Sequence, residues 1–98
     1  MSLPLAYRPE VRGEIDEAFA WYEQERAGLG EEFLAAVRDT LQSVRANPLR
    51  NAELHKGIRA CPVERFPYVA YYRVESERIL VIAVQHGRRN PRRWRSRA

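Results

Sequence analysis

Six arginines (Arg88, Arg89, Arg92, Arg93, Arg95 and Arg97) fall between Gly87 and Ala98, with no acid among them. Guanidinium groups at this density present planar, multi-donor forks suited to phosphates and carboxylates. The whole chain carries a formal charge of +4, yet residues 1–86, with eleven basic and thirteen acidic side chains, sum to −2. The positive excess is thus confined to one short segment, an electrostatic handle for a polyanion or an acidic partner. His86 stands just before it. With an unperturbed pKa of about 6.5 it is a candidate general base. The alternative, which we favour, is a strand-end histidine bonded to backbone and orienting the tail. His55, Cys61 and His86 lack metal-ligand spacing, so neither a metal nor another cofactor is expected.

These side chains need a scaffold, and 98 residues with 45% apolar content are expected to form one domain over 1–98, ending in the basic tail 87–98. Sixteen of the seventeen basic residues are arginine, a preference that compositional bias alone can produce. Cys61 is the single cysteine, so no intrachain disulfide is possible. The sequence has no apolar run of membrane-spanning length, and Met1-Ser2-Leu3-Pro4 lacks a signal pattern. A cytoplasmic location is expected.

Leu3 to Tyr7 reads as a short edge strand. Pro9 suits a first helical turn, and Val11, Ile15, Ala18, Phe19 and Tyr22 recur at helical spacing. Gly28 and Gly30 mark a stop. A second helix carries Phe33, Leu34, Val37, Leu41 and Val44 as one stripe and ends at Asn47-Pro48. Ile58–Val63, Tyr68–Val74 and Arg78–Val84 then read as strands, the last apolar on both faces. Asn90-Pro91 opens a short turn carrying Trp94. The predicted fold is α+β in the order β-α-α-β-β-β, with a helix hairpin on a twisted, mainly antiparallel sheet. Eight acids lie between Glu10 and Glu32 and read first as a solvated face; the second reading is that this side repels nucleic acid and leaves the arginine side as the approach. Trp21 is expected to be half exposed, because its neighbour Tyr22 faces the core.

The order and spacing of several motifs resemble the RelE/ParE superfamily of type II toxins, also called plasmid-stabilisation proteins. They are Asp16-Glu17-Ala18 with Trp21-Tyr22, Leu29-Gly30-Glu31-Glu32-Phe33, and Phe66-Pro67-Tyr68 with Tyr71-Tyr72-Arg73-Val74. Ala83 to Trp94 completes the pattern, so the resemblance runs from about Leu5 to Trp94. It implies a small bacterial toxin held by a cognate antitoxin in a hetero-oligomer. An acidic, partly disordered antitoxin segment would fold across the helix–sheet groove.

The resemblance leaves two targets. RelE-like members cleave mRNA on the ribosome, and ParE-like members poison DNA gyrase. The ribonucleases carry an arginine just after the tyrosine matched by Tyr68, where this chain has Val69. They also carry a C-terminal tyrosine, where Trp94 is the nearest match; indole stacks but exchanges no phenolic proton. The ParE-like reading therefore leads: a non-enzymatic gyrase inhibitor contacting its target through Arg88, Arg89, Arg92, Arg93 and Trp94. The ribonuclease alternative would use Arg59, Arg65, Arg73 and Arg89 as phosphate cations, with His86. A third reading is a harmless nucleic-acid-binding module with salt-dependent affinity.

Overall fold

A computed structural model describes residues 2–98. Its elements are β1 (Leu5–Tyr7), α1 (Pro9–Glu25), α2 (Leu29–Ala46), β2 (Glu53–His55), β3 (Ile58–Pro62), β4 (Tyr68–Val74), β5 (Ile79–His86) and α3 (Arg92–Arg95). The strands form one sheet in the order β1-β5-β4-β3-β2, parallel between β1 and β5 and antiparallel elsewhere. The α+β architecture read from periodicity is present, with one strand more than expected. That strand, β2, is three residues long and offers no alternation to read. It turns into β3 through Lys56 and Gly57, both at positive φ (48° and 82°), the backbone that a two-residue hairpin loop requires.

The helices form an antiparallel hairpin because their apolar faces meet. Val11, Ala18 and Tyr22 are buried on α1; Phe33, Val37, Leu41 and Val44 are buried on α2. All but Val44 join Val63, Ala70, Val81 and Val84 in the main core between hairpin and sheet, and Val44 packs with Cys61, Tyr72 and Ile79 beside it. Tyr22, Phe33, Phe66 and Tyr68 close one end of it as an aromatic cluster, with centroids 5.0–6.1 Å apart. The Tyr72 ring is fully buried, and its hydroxyl donates to Pro48 O (2.6 Å) and accepts from Asn51 Nδ2 (3.1 Å), pinning the α2–β2 loop.

Gly30 sets how closely the hairpin closes. Its N–H donates to Glu23 Oε1 at 2.8 Å, and a Cβ there would lie 2.7 Å from Glu23 Cγ and 2.8 Å from the Phe19 ring. Gly13, on the same helix as Glu23, has open space around the corresponding position. Gly30→Ala is therefore expected to destabilise by about 1–3 kcal/mol through overpacking, whereas Gly13→Ala stabilises by about 0.5–1 kcal/mol. Urea unfolding of the two variants checks the opposite signs.

β5 is buried along almost its whole length, which requires cover on both faces. The register between β4 and β5 shifts at Tyr71/Tyr72, so that Tyr71 opposes Ala83 and Tyr72 opposes Val81. The extra residue, Ile82, turns to the same face as Ala83, away from the helix hairpin. The resulting second apolar surface includes Ile58, Tyr71, Leu80, Ile82 and Ala83, and Trp94 of α3 packs on it.

Candidate functional site

The arginine segment is not a loose tail. Beyond His86 the chain turns at Gly87, whose N–H donates to Pro67 O at 2.7 Å. His86 Nδ1 accepts the backbone N–H of Arg88 at 3.1 Å, which puts the neutral ring's proton on Nε2. Asn90 Oδ1 accepts the Arg92 N–H at 3.0 Å and starts α3 beside Pro91. Trp94 then lies stacked on Tyr71, with centroids 4.4 Å apart and planes 15° apart, while His55 of β2 meets its edge at 6.3 Å. Only 5% of Trp94 is exposed. The sequence places Trp94 among the target-contacting residues; in the fold its buried indole anchors the segment from beneath.

Arg88, Arg89, Arg92, Arg93 and Arg95 are exposed on this anchored turn. Among the described residues, no carboxylate comes within 4 Å of Arg88, Arg92 or Arg93, so their donors are free. Arg95 lies over the outer face of Trp94, its guanidinium carbon 5.4 Å from the ring centroid.

Arg97 behaves differently, because it completes the sheet. β1 pairs with β5 only as far as Val81, leaving the next backbone groups of β5 without a strand partner. Glu14 of α1 fills part of that edge, accepting the Val84 N–H at 3.1 Å and the Gln85 side-chain amide at 2.7 Å. Arg97 fills the rest, donating to Ile82 O at 3.1 Å and bridging Glu14 at 2.9 Å. The Arg97 carbonyl accepts from the Arg8 guanidinium at 2.7 Å. Two side chains from opposite ends of the chain thus stand in for a missing strand. Arg97 also lies 3.9 Å from Glu10, and Arg89 lies 3.9 Å from Glu17. The acidic helix and the arginine segment therefore adjoin, which counts against the reading that puts them on separate sides. The reason is that an open edge on a buried strand must find polar partners.

The sheet arginines do not converge on His86. Arg73 pairs with Leu80 and Arg59 opposes Tyr72, whereas His86 pairs with Tyr68. Five residue steps along β4 take the strand from Tyr68 to Arg73, a distance of about 17 Å. Arg73 bridges Glu75, held between Arg73 and Arg78, whose guanidinium groups (Arg78 first) lower the Glu75 pKa. Arg59 donates to Asn51 O. Arg65 sits in the β3–β4 turn at φ 70° and lines a different cleft, with Asp39 and Glu64. Of the ribonuclease set, only His86 and Arg89 come together, beside Tyr68. Burial raises the Tyr68 phenol pKa, and Arg89 partly opposes that shift. Cys61 is buried and its thiol pKa is raised, again mainly by burial, which makes it a poor nucleophile.

A second surface lies on the other side of α1. An apolar groove of about 620 Å³ runs between β1, α1 and α2, with Leu5, Ile15, Leu34 and Val37 in its walls and Arg8, Arg12 and Arg38 around it, Arg12 standing 3.8 Å from Asp16, which also lines the groove. Tyr7, half exposed, stands at its β1 side. Among the described residues no helix is long and apolar enough to cross a membrane.

Known proteins share this organisation. A solved chain from the chromosomal ParDE toxin-antitoxin system of P. aeruginosa superposes with a TM-score of 0.65 at 23% identity, covering 87% of this chain and 96% of that one. That likeness carries the fold. No curated protein matches the sequence. The sequence model of the family described as "ParE toxin of type II toxin-antitoxin system, parDE" matches residues 5–91, everything from β1 to the residue before α3. With that match over most of its length, this chain belongs to the ParE toxin family of type II toxin-antitoxin systems.

Proposed function

We propose that this chain acts in the cytoplasm as a toxin that inhibits DNA gyrase by binding rather than by catalysis, with Arg88, Arg89, Arg92 and Arg93 as its contacts. The observation that carries the proposal is the display of these guanidinium groups on a turn held rigidly by Trp94, three of them free of any carboxylate partner among the described residues. Anchored, unpaired arginines favour an acidic protein surface or a DNA backbone without an ordering cost at the moment of contact. Catalysis of RNA cleavage would instead need several cations and an acid–base pair around one phosphate. The separation of Arg59 and Arg73 from His86 argues against that chemistry.

A family member of this kind works against an antitoxin, and the groove between β1, α1 and α2 supports a seat for it. An acidic, partly disordered segment can bury apolar side chains against Leu34 and Val37 while its carboxylates meet Arg38 and compete with Asp16 for Arg12.

The double variant Arg88→Ala/Arg89→Ala should lose toxicity by at least about tenfold in a titrated induction assay. Its melting temperature should stay near that of the parent, since exposed substitutions of this kind change stability by about 0.5 kcal/mol or less. Full toxicity in that variant would overturn the assignment of these arginines.

A further inference from the structure

We propose that the pocket between α1 and the adjoining ends of β4 and β5 binds one unpaired nucleotide of a single-stranded nucleic acid, Trp21 and Tyr68 receiving the base and Arg89 the phosphate. This goes beyond the gyrase reading and does not depend on it.

The pocket encloses about 410 Å³, within the roughly 300–1,000 Å³ of small-ligand sites, and is lined by Glu17, Trp21, Gln24, Tyr68, His86 and Arg89 among others. Trp21 is 57% exposed, unusual for so large an apolar side chain. Its ring rests edge-on against Tyr22, with centroids 5.1 Å and planes 84° apart. An indole so placed and open to solvent is a stacking platform, and bases stack on such platforms whatever their identity. Tyr68 forms another wall, its ring fixed by Tyr22, Phe33 and His86 at 5.1–6.1 Å.

The polar groups are placed for the rest of a nucleotide. Arg89 is 3.9 Å from Glu17, longer than a charge-assisted hydrogen bond, so its donors remain available to a phosphate. His86 uses Nδ1 for the Arg88 backbone, which leaves Nε2–H as a second donor. Glu17 and Gln24 supply the acceptor and donor groups that base edges need. Glu17 also discriminates by form. A duplex would bring further phosphates against this exposed carboxylate, whereas a single extruded nucleotide brings one, next to Arg89. Arg88 and the turn beyond it continue the cationic track for the neighbouring phosphates.

Because Trp94 is buried, quenching of indole emission by added ligand reads Trp21. The probe is a thymidine octamer, compared with a duplex of the same length, with labelled-octamer anisotropy as the readout for variants lacking Trp21. The octamer should quench saturably and bind at least tenfold more tightly than the duplex. Trp21→Ala should weaken octamer binding by about tenfold, a typical loss for one stacked base, and Arg89→Ala should weaken it with a shallower salt dependence, both at unchanged melting temperature. Three results would overturn the proposal: octamer binding indifferent to Trp21→Ala, duplex binding as tight as single-strand binding, or quenching by an acidic, aromatic-rich peptide with none by the octamer. The last would assign the pocket to a protein partner.

Discussion

Trp94→Ala is expected to lower the melting temperature by about 12 °C or more. Truncating a buried tryptophan costs about 3–5 kcal/mol, and each kcal/mol shifts a domain of this size by about 4–8 °C. The argument rests on what lies beneath the ring. The bulge at Ile82 creates an apolar surface on the face of the sheet that the helix hairpin does not reach, and Trp94 packs on it. Without the indole, Tyr71, Leu80 and Ile82 meet water, and the stack on Tyr71 is lost along with the area. Losing the anchor should also free Arg88 to Arg93 from their common turn. Toxicity should therefore fall in Trp94→Ala even at temperatures where the fold survives, whereas Trp94→Phe retains much of both. Calorimetry on the alanine variant checks the first claim. A shift of less than about 4 °C would mean that the segment contributes little to the fold.

Glu14→Ala comes next, with an expected loss of about 2–3 kcal/mol. One carboxylate accepts the Val84 N–H, the Gln85 amide and the Arg97 guanidinium. Removing a buried ion-pair partner costs about 3–5 kcal/mol, because the other charge stays behind unpaired. Glu14 and Arg97 are 19% and 18% exposed, so water relieves part of that penalty. Glu14→Gln keeps an acceptor for Val84 and gives up the charge, and should lose about half as much. Hydrogen exchange adds a local signature: the Val84 amide should lose protection in Glu14→Ala by more than the drop in global stability explains. Equal protection in variant and parent would mean that water fills the edge as well as the carboxylate does.

These two positions also mark where reading the sequence stopped. The helices and the strands β3, β4 and β5 were readable because their apolar periods are long and their turns carry glycine, proline or short polar breaks. β4 was placed residue for residue at Tyr68–Val74, and the half-exposed Trp21 followed from its neighbour facing the core. β2 was not readable, since three residues carry no period; Lys56-Gly57 was the available signal. The basic segment was visible as charge, but its arginines do not share one role. Arg97 turns inward to an acid 83 positions away, and no local pattern announces a pairing at that separation. Trp94 illustrates the same limit: a tryptophan among exposed arginines reads as surface, and only the bulge in β5 creates the apolar ground it occupies. Both lie beyond Pro91, past the residues 5–91 that the family model matches. The pocket at Trp21 was missed because Tyr68, His86 and Arg89 meet α1 only through tertiary packing.

The most direct test of the central claim is the supercoiling of relaxed plasmid by purified DNA gyrase with this chain added. Inhibition with accumulation of cleaved DNA, lost in Arg88→Ala/Arg89→Ala, is the result the arginine surface predicts. Undiminished supercoiling at concentrations that arrest growing cells would contradict it and move the target away from gyrase.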